Sequence, residues 1–168
     1  MPADRPLITD LEIVELLSEE KSLPANFREQ LTLKKKSDRK YKECDICARS
    51  NKGTFIITIK VNIRELFDFS IILQYISENG FNYILRRYNG IHQHKNILER
   101  TIIQGYHIHM ATEKYQRSSL RIEGYAELTD SYNNWKDALA QLIADCNVRG
   151  ENTYITAPVQ SLLVSRAV

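Results

Sequence analysis

The chain has 168 residues, 43% of them hydrophobic, and a formal net charge of +2, so it can bury the core of one domain of ordinary size. Charges interrupt its first ten residues and no apolar run exceeds three residues, which argues against a signal peptide and a membrane-spanning segment. Three cysteines are an odd number for a disulfide framework. We therefore expect a cytoplasmic protein with reduced thiols and no membrane partner.

Positive charge is concentrated in two blocks of the chain. Residues 28–52 contain nine Lys or Arg against four acids, and residues 86–121 contain seven against two. Such blocks are typical of surfaces that bind nucleic acid or phosphate, although a solvated face gives the same pattern. We therefore expect RNA as a partner of this basic face.

The first predicted element is a short amphipathic helix in the region 1–27. Thr9 is a good N-cap, and apolar residues recur at helical spacing from Leu11 until about Ser22. Residues 28–52 follow as a basic segment, and a polar Lys-Ser-Asp-Arg stretch at its centre favours a hairpin turn. We interpret this segment as a hairpin or a partner-binding region.

Residues 53–150 are expected to form a core of sheet and helix. Alternating apolar and polar residues predict strands at 54–63, 69–76 and 81–88, and an Asn-Gly pair predicts a turn between the last two. Short connections of this kind join antiparallel strands. The three strands therefore form a meander.

The second half of this core continues the pattern. We predict a loop from Ile91 to Thr101, strands at 102–111 and 120–128, and a helix from Ser131 to about Cys146 that covers the apolar face of the sheet. Residues 151–168 form a tail. The chain is thus predicted to be a single α+β domain, an antiparallel sheet of at least five strands with an N-terminal and a C-terminal helix packed on one face.

All four histidines fall within eighteen residues. His92 and His94 lie in the predicted loop, and His107 and His109 lie on the strand that follows. Residues two apart on a strand share a face, so His107 and His109 can reach one ligand together. Near neutral pH one imidazole can act as a base and a protonated one as an acid, while an arginine holds phosphate. These parts suffice for RNA cleavage without a cofactor.

Two other interpretations of the histidines stay open. The His-Ile-His motif can simply be solvated on a polar face. It can also present two imidazoles to zinc, but the sequence identifies no third ligand, and we assign no metal ligands. Cys44 and Cys47 have the spacing of half a zinc knuckle, yet on a regular strand they face opposite sides, which favours ordinary packing.

The residues around the histidines resemble a known pattern. The run Leu85-Arg-Arg-Tyr-Asn-Gly90, then His92, then Gly105-Tyr-His-Ile-His109 with Tyr115 following, is similar to small uncharacterised bacterial proteins with R-x-[DN]-G, H and H-x-H. It is distantly similar to TumE-like toxins, and the resemblance covers residues 54–147. It implies a toxin–antitoxin or phage-defence role directed at RNA, with a cognate antitoxin or another protein as partner. The positions that it implies are Arg86 or Arg87, Asn89, His92, His107 and His109.

The sequence thus leads to two hypotheses. The first is a small toxin or phage-defence effector, a metal-independent ribonuclease with His92, His107 and His109 as catalytic residues. The second is a non-enzymatic module that binds nucleic acid or protein through the same basic face. The residues expected to bind the substrate are Arg86, Arg87, Tyr88, Asn89, His94, Tyr106, Tyr115, Lys34, Lys35 and Lys36.

Overall fold

The computed structural model describes residues 5–31, 34–35 and 40–150, and residues 34–35 by their backbone only. Within these ranges the fold is α+β, with one nine-stranded, mostly antiparallel sheet and four helices. The predicted α+β class with an antiparallel sheet of at least five strands is therefore confirmed, and the predicted tail lies outside the described residues. None of the helices in the described part has the length and apolar character needed to cross a membrane.

The sheet contains strands of very different lengths. They are β1 Lys21–Ser22, β2 Lys34–Lys35, β3 Tyr41–Ser50, β4 Gly53–Asn62, β5 Phe69–Ile76, β6 Asn82–Asn96, β7 Thr101–Met110, β8 Tyr125–Leu128 and β9 Val148–Arg149. Their order across the sheet is β8-β7-β6-β5-β4-β3-β1-β9, and β2 pairs beside β3. Only β1 and β9 are parallel among these pairs. The centre is an antiparallel meander, as predicted.

The helices are α1 Asp10–Ser18, α2 Phe27–Gln30, α3 Glu113–Arg117 and α4 Trp135–Asp145. Thr9 is the N-cap of α1 as predicted, and it forms a capping box with Glu12. The helix ends at Ser18, earlier than predicted, because Glu19 has extended backbone angles. Helix α4 begins later than predicted because the Asn134 side chain accepts the Asp137 backbone N–H and caps it there.

Helices α1 and α4 bury apolar residues in the same core as the central strands. Helix α1 contributes Ile13, Leu16 and Leu17, and α4 contributes Ala138, Leu139, Leu142 and Ile143. The strands add alternate residues such as Ile57, Ile71 and Leu85, which are almost fully buried. Alternation along the strands leaves the remaining side chains on the other face of the sheet.

The largest error of the sequence prediction concerns the loop at residues 91–101. Strand β6 continues through Asn96, so His92 and His94 lie on a strand. A β-bulge between Asn89 and His92 interrupts the alternation of side chains, so the sequence pattern did not show that the strand continues. Gly90 permits this bulge, since a Cβ there would lie 1.7 Å from the Phe67 carbonyl oxygen.

One further prediction is corrected in part, and another agrees with the structure. The predicted strand at 120–128 is limited to Tyr125–Leu128, because the chain first forms α3 and then turns through residues 118–124. In the basic segment, Lys34 and Lys35 pair with Glu43 and Lys42, in agreement with the expected hairpin. Lys36 and the side chains of Lys34 and Lys35 lie outside the described residues.

Candidate metal centre

Strands β6 and β7 bring all four histidines together. Across this pair, His92 lies opposite Gly105, while His107 lies opposite Asn89 on the far side of the bulge. Ring centroids are 4.4 Å apart for His92 and His107, 5.0 Å for His107 and His109, and 4.5 Å for His94 and His109. The bulge therefore converts two separate His-x-His pairs into one cluster.

The cluster is buried at one end and open at the other. His107 is 0% and His109 7% exposed, whereas His94 is half-buried and His92 is exposed. Imidazoles are seldom fully buried without specific partners. Because His92 is exposed, a ligand can reach the buried rings from its side of the cluster.

Backbone carbonyls fix the hydrogen positions on three of the rings. His107 Nδ1 lies 2.8 Å from the Gly105 carbonyl oxygen, and His109 Nδ1 lies 2.9 Å from that of Glu123. A carbonyl oxygen only accepts, so both Nδ1 atoms carry the proton and both Nε2 atoms have a lone pair. The lone pair of His107 faces the Asn89 amide nitrogen at 3.4 Å, and that of His109 makes no hydrogen bond within the described residues. His94 donates from Nε2 to the Gly124 carbonyl oxygen at 2.9 Å, which leaves its Nδ1 as the acceptor.

Three of the histidines can hold one metal ion. His92, His107 and His109 each offer a ring nitrogen, and these three nitrogens lie within 4.8 Å of one another. Metal-bound histidines commonly donate their second ring N–H to a backbone carbonyl, which orients the ring and raises its basicity. His107 and His109 already make this hydrogen bond.

The buried histidines are neutral over the physiological pH range. Burial, with a smaller contribution from the neighbouring His92 and His94, lowers the pKa of His107 to about 4. Burial also lowers the pKa of His109 to about 3, with an added contribution from His107. The pKa of His92 is lowered by partial burial as well. Neutral imidazole is the form that binds metal, whereas an acid–base pair requires one charged ring.

Arg87 is a charged residue next to the cluster on this face, and the Asp68 carboxylate is close enough to His92 to oppose the lowering of its pKa by burial. It lies opposite His109 in the register of β6 and β7, and its Nη2 donates to Glu123 Oε1 at 2.9 Å. Glu123 also supplies the backbone carbonyl that accepts from His109 Nδ1. The Nε atom of Arg87 is buried and makes no hydrogen bond within the described residues.

Several predicted substrate-binding residues lie away from the histidines. Arg86 lies opposite Leu73 and Met110, on the core face of the sheet. Tyr88 is fully buried on that face and donates to Asp145. Tyr106 packs against the core and donates to the Asn133 carbonyl. Their positions serve packing, and they do not border the cluster.

Tyr115 and Asn89 contact residues of the scaffold. Tyr115 is 1% exposed and donates to Glu99 Oε2 at 2.6 Å. Asn89 accepts from Ser70, and its amide nitrogen lies 3.4 Å from His107 Nε2. Asn89 thus borders the cluster, while Tyr115 supports the turn behind it.

The basic block at 86–121 is partly neutralised by carboxylates. Arg87 pairs with Glu123, Lys114 with Glu99, and Arg117 with Glu113. An ion-paired base contributes less to a positive surface than a free one. The positive surface at this block is therefore smaller than the count of bases suggests.

The sequence analysis did not identify Glu123, Gly105 and Gly124 as parts of the site. All three act through backbone carbonyls that accept from histidine rings. Carbonyl roles leave no chemical signature in a sequence. The one sequence feature that could have pointed to these residues is the glycine at position 124. A Cβ there would lie 2.4 Å from the Tyr115 ring, so close packing requires glycine.

A separate cavity of about 460 Å³ lies between α1 and the β5–β6 turn. Its polar lining includes Glu12, Glu15, Glu78 and Lys52, and Lys52 is paired with Glu15. Carboxylates outnumber bases in this cavity. It therefore does not provide the basic surface expected for RNA.

Comparisons with known proteins give one family. No curated protein and no solved structure matches the chain significantly. The similarity to TumE-like toxins stays a prediction. A family model matches residues 8–148, and this span includes both helices of the core, the central strands and all four histidines. The chain therefore belongs to the family of unknown function DUF6978.

Proposed function

We propose that the histidine cluster binds one divalent transition-metal ion, with zinc as the expected ion, through His92, His107 and His109, and that this centre activates water for hydrolysis. The observation that carries the proposal is the approach of the three ring nitrogens to within 4.8 Å of one another. Imidazole is a preferred ligand of zinc and neighbouring metals.

The three rings need only a small movement to reach coordination distance. Zinc lies about 2.0–2.1 Å from histidine nitrogen, so tetrahedral ligands are about 3.4 Å apart. His92 is exposed, and its side chain can therefore move toward the two buried rings. The carbonyls of Gly105 and Glu123 hold His107 and His109 in the tautomer that ligation requires.

A site with three histidines leaves a coordination position for water or substrate. Zinc in such a site lowers the pKa of its bound water to about 7 and so supplies hydroxide near neutral pH. The ion takes the place of the charged imidazole that metal-independent cleavage would need. The prediction of a small toxin or phage-defence effector that cleaves RNA is compatible with this centre as a metal-dependent reaction.

We further infer that α1 and α4 together cover the face of the sheet opposite the histidines. Both helices bury residues in one core cluster, and the side chains of His107 and His109 alternate with the core residues Tyr106 and Ile108 along β7. This arrangement leaves the histidine face available to ligands. The non-enzymatic alternative, a module that binds nucleic acid or protein, would use the same uncovered face.

The test of the metal centre is titration of metal-free protein with Zn²⁺ by calorimetry, with the bound ion counted by elemental analysis. We expect one ion per chain, and at least about 100-fold weaker binding for His107→Ala and His109→Ala. His94→Ala is the matched control, because His94 belongs to the same cluster but not to the ligand set. Equal loss in all three variants, or no saturable binding, would contradict the assignment.

Activity is tested by incubating the zinc-loaded protein with RNA, with and without EDTA. A metal-dependent ribonuclease cleaves only without the chelator. Cleavage that persists in EDTA and in the His107→Ala/His109→Ala variant would exclude the centre as its source. Zinc binding without cleavage, together with RNA retention on the protein, would favour the non-enzymatic module.

A further inference from the structure

Arg87 has an arrangement that ion pairing alone does not explain. Its guanidinium has several N–H donors, of which Nη2 is held by Glu123 at 2.9 Å. Its buried Nε makes no hydrogen bond within the described residues. A buried, unpaired donor on a cation costs free energy. Such a donor is consistent with a site that is completed by a ligand.

The location of Arg87 links it to the proposed metal position. It lies directly opposite His109 across β6 and β7, and its charge contributes to the lowered pKa of both His92 and His109. Glu123 contacts both Arg87 and His109, because its carboxylate accepts from Arg87 and its carbonyl oxygen accepts from His109 Nδ1. Arg87 is therefore close to two of the three ligands.

The charges of the loaded site do not balance. The three histidines are neutral ligands, and the Glu123 carboxylate compensates Arg87. Among the described residues, the Asp68 carboxylate is close enough to His92 to oppose the lowering of its pKa by burial, but it also accepts hydrogen bonds from Tyr41 and Asn62. Part of the double charge of the ion therefore remains uncompensated. A phosphate monoester carries a charge of about −1.5 to −2 near neutral pH, and it therefore compensates the ion better than a carboxylate does.

We propose that the site binds a phosphate group, free or esterified, with one oxygen on the metal ion and a second oxygen on Arg87. This inference rests on the proposed metal centre and specifies its substrate class. Arginine suits the role because its planar N–H groups can contact a phosphate while one of them remains paired with a carboxylate. Arg87 is thereby assigned as the phosphate-binding residue, and Arg86 has no part in it.

Residues 86 and 87 provide a matched pair for the test. They are adjacent, both are half-buried arginines, and their side chains lie on opposite faces of the sheet. Protein loaded with Co²⁺ in place of zinc reports on its own coordination through visible absorption bands. Inorganic phosphate, acetate and a diribonucleotide with one internal phosphodiester are the three probes.

We expect phosphate to change the cobalt bands of the parent protein at saturation and to bind at least about 10-fold more tightly than acetate. Arg87→Met should weaken phosphate binding by about 10- to 100-fold and leave cobalt binding in place. Arg86→Met should change neither. The diribonucleotide distinguishes an internal RNA phosphodiester from a free or terminal phosphate as the ligand. If it binds with the same dependence on Arg87, the site accepts RNA phosphodiesters. If it does not bind, the site is limited to free or terminal phosphate.

A second variant keeps the test valid if Arg87→Met folds poorly. That substitution leaves the buried Glu123 carboxylate unpaired, so Arg87→Met/Glu123→Gln removes both charges together. Equal phosphate binding by the parent and both variants would overturn the role of Arg87. Cobalt binding without any effect of phosphate would overturn the phosphate site alone. Failure to bind cobalt would overturn the metal centre and, with it, this inference.

Discussion

Among the described residues, lysine and histidine side chains are buried in two places, and the two differ in how their hydrogen bonds are completed. Lys21 is 0% exposed, and its Nζ donates to the carbonyl oxygens of Leu17, Glu19 and Cys146 at 2.7–3.1 Å. These partners use all three of its protons. In the histidine cluster, by contrast, His107 and His109 each donate one proton from Nδ1, while His107 Nε2 has only the long 3.4 Å contact with the Asn89 amide and His109 Nε2 has no partner within the described residues. Complete satisfaction indicates a structural role, and an acceptor that is unused or weakly used indicates a binding role.

The positions of the two sites agree with this difference. Lys21 joins the last turn of α1 to the end of α4, where helix carbonyls lack partners within the helix. It also lies 4.6 Å from the centre of the Phe55 ring in the core. The histidines lie across β6 and β7 and reach the surface at His92. The first site ties helices together, and the second is open to a ligand.

Removing the amine of Lys21 should have the largest effect on stability. Lys21→Met leaves three carbonyls without their donor, and we expect a loss of about 3–5 kcal/mol in the free energy of unfolding. Urea denaturation of the two proteins measures this. Lys52→Met is the control, because Lys52 makes a solvent-exposed pair with Glu15 that contributes about 0–1 kcal/mol. Similar losses in both variants would mean that Lys21 is not a structural tie.

Acid should destabilise the metal-free protein through the histidines. Histidine has a pKa of about 6.5 in the unfolded chain, and His107 and His109 have lowered pKa values of about 4 and about 3 in the folded one. The unfolded chain therefore binds protons first as the pH falls, and stability is lost below about pH 6.5. Between pH 7.5 and 5.5 we expect a loss of about 1 kcal/mol per histidine, or roughly 2–3 kcal/mol for the pair.

Lys21 does not contribute to the change in stability between pH 7.5 and 5.5. Its folded pKa is lowered to about 8 by burial, so its linkage acts between about pH 8 and its unfolded pKa of about 10.4. Urea denaturation in EDTA at the two pH values measures the effect of the histidines. The His107→Gln/His109→Gln variant is the control and should lose clearly less stability. An equal loss would assign the pH dependence to other groups.

The smallest expected effect concerns Tyr115, which lies behind the site. Tyr115→Phe removes one hydrogen bond to Glu99, and we expect a loss of about 1 kcal/mol in stability with zinc affinity unchanged. Tyr125→Phe, whose hydroxyl donates to Glu127 at the surface, is the matched control. Urea denaturation and zinc calorimetry measure the two properties. A zinc affinity at least 10-fold weaker in Tyr115→Phe would make this residue part of the site, as the sequence analysis predicted.

Local sequence patterns predicted much of the fold. Thr9 is the N-cap of α1, and strand β4 closely follows the alternation between residues 54 and 63. These elements depend on neighbours in sequence, namely a cap with its first turn and a period of two along a strand. Strand β6 could not be predicted to its end, because Gly90 and its bulge interrupt the period. Trp135 is only partly buried, since it is the first residue of α4.

The sequence by itself determined that His107 and His109 share a face, since residues two apart on any regular strand do so. It also determined that Arg86 and Arg87 point to opposite faces. Only the tertiary structure decided which arginine lies on the histidine face. The register shift near Leu73 and Gln74, in the pairing of β5 with β6, determines which residues of β6 face the core and which face the histidines. His92, the third proposed ligand, depends on the bulge that returns it to the same face. The carbonyl partners of the rings come from β7 and from the turn before β8, and long-range pairing alone brings that turn to the cluster.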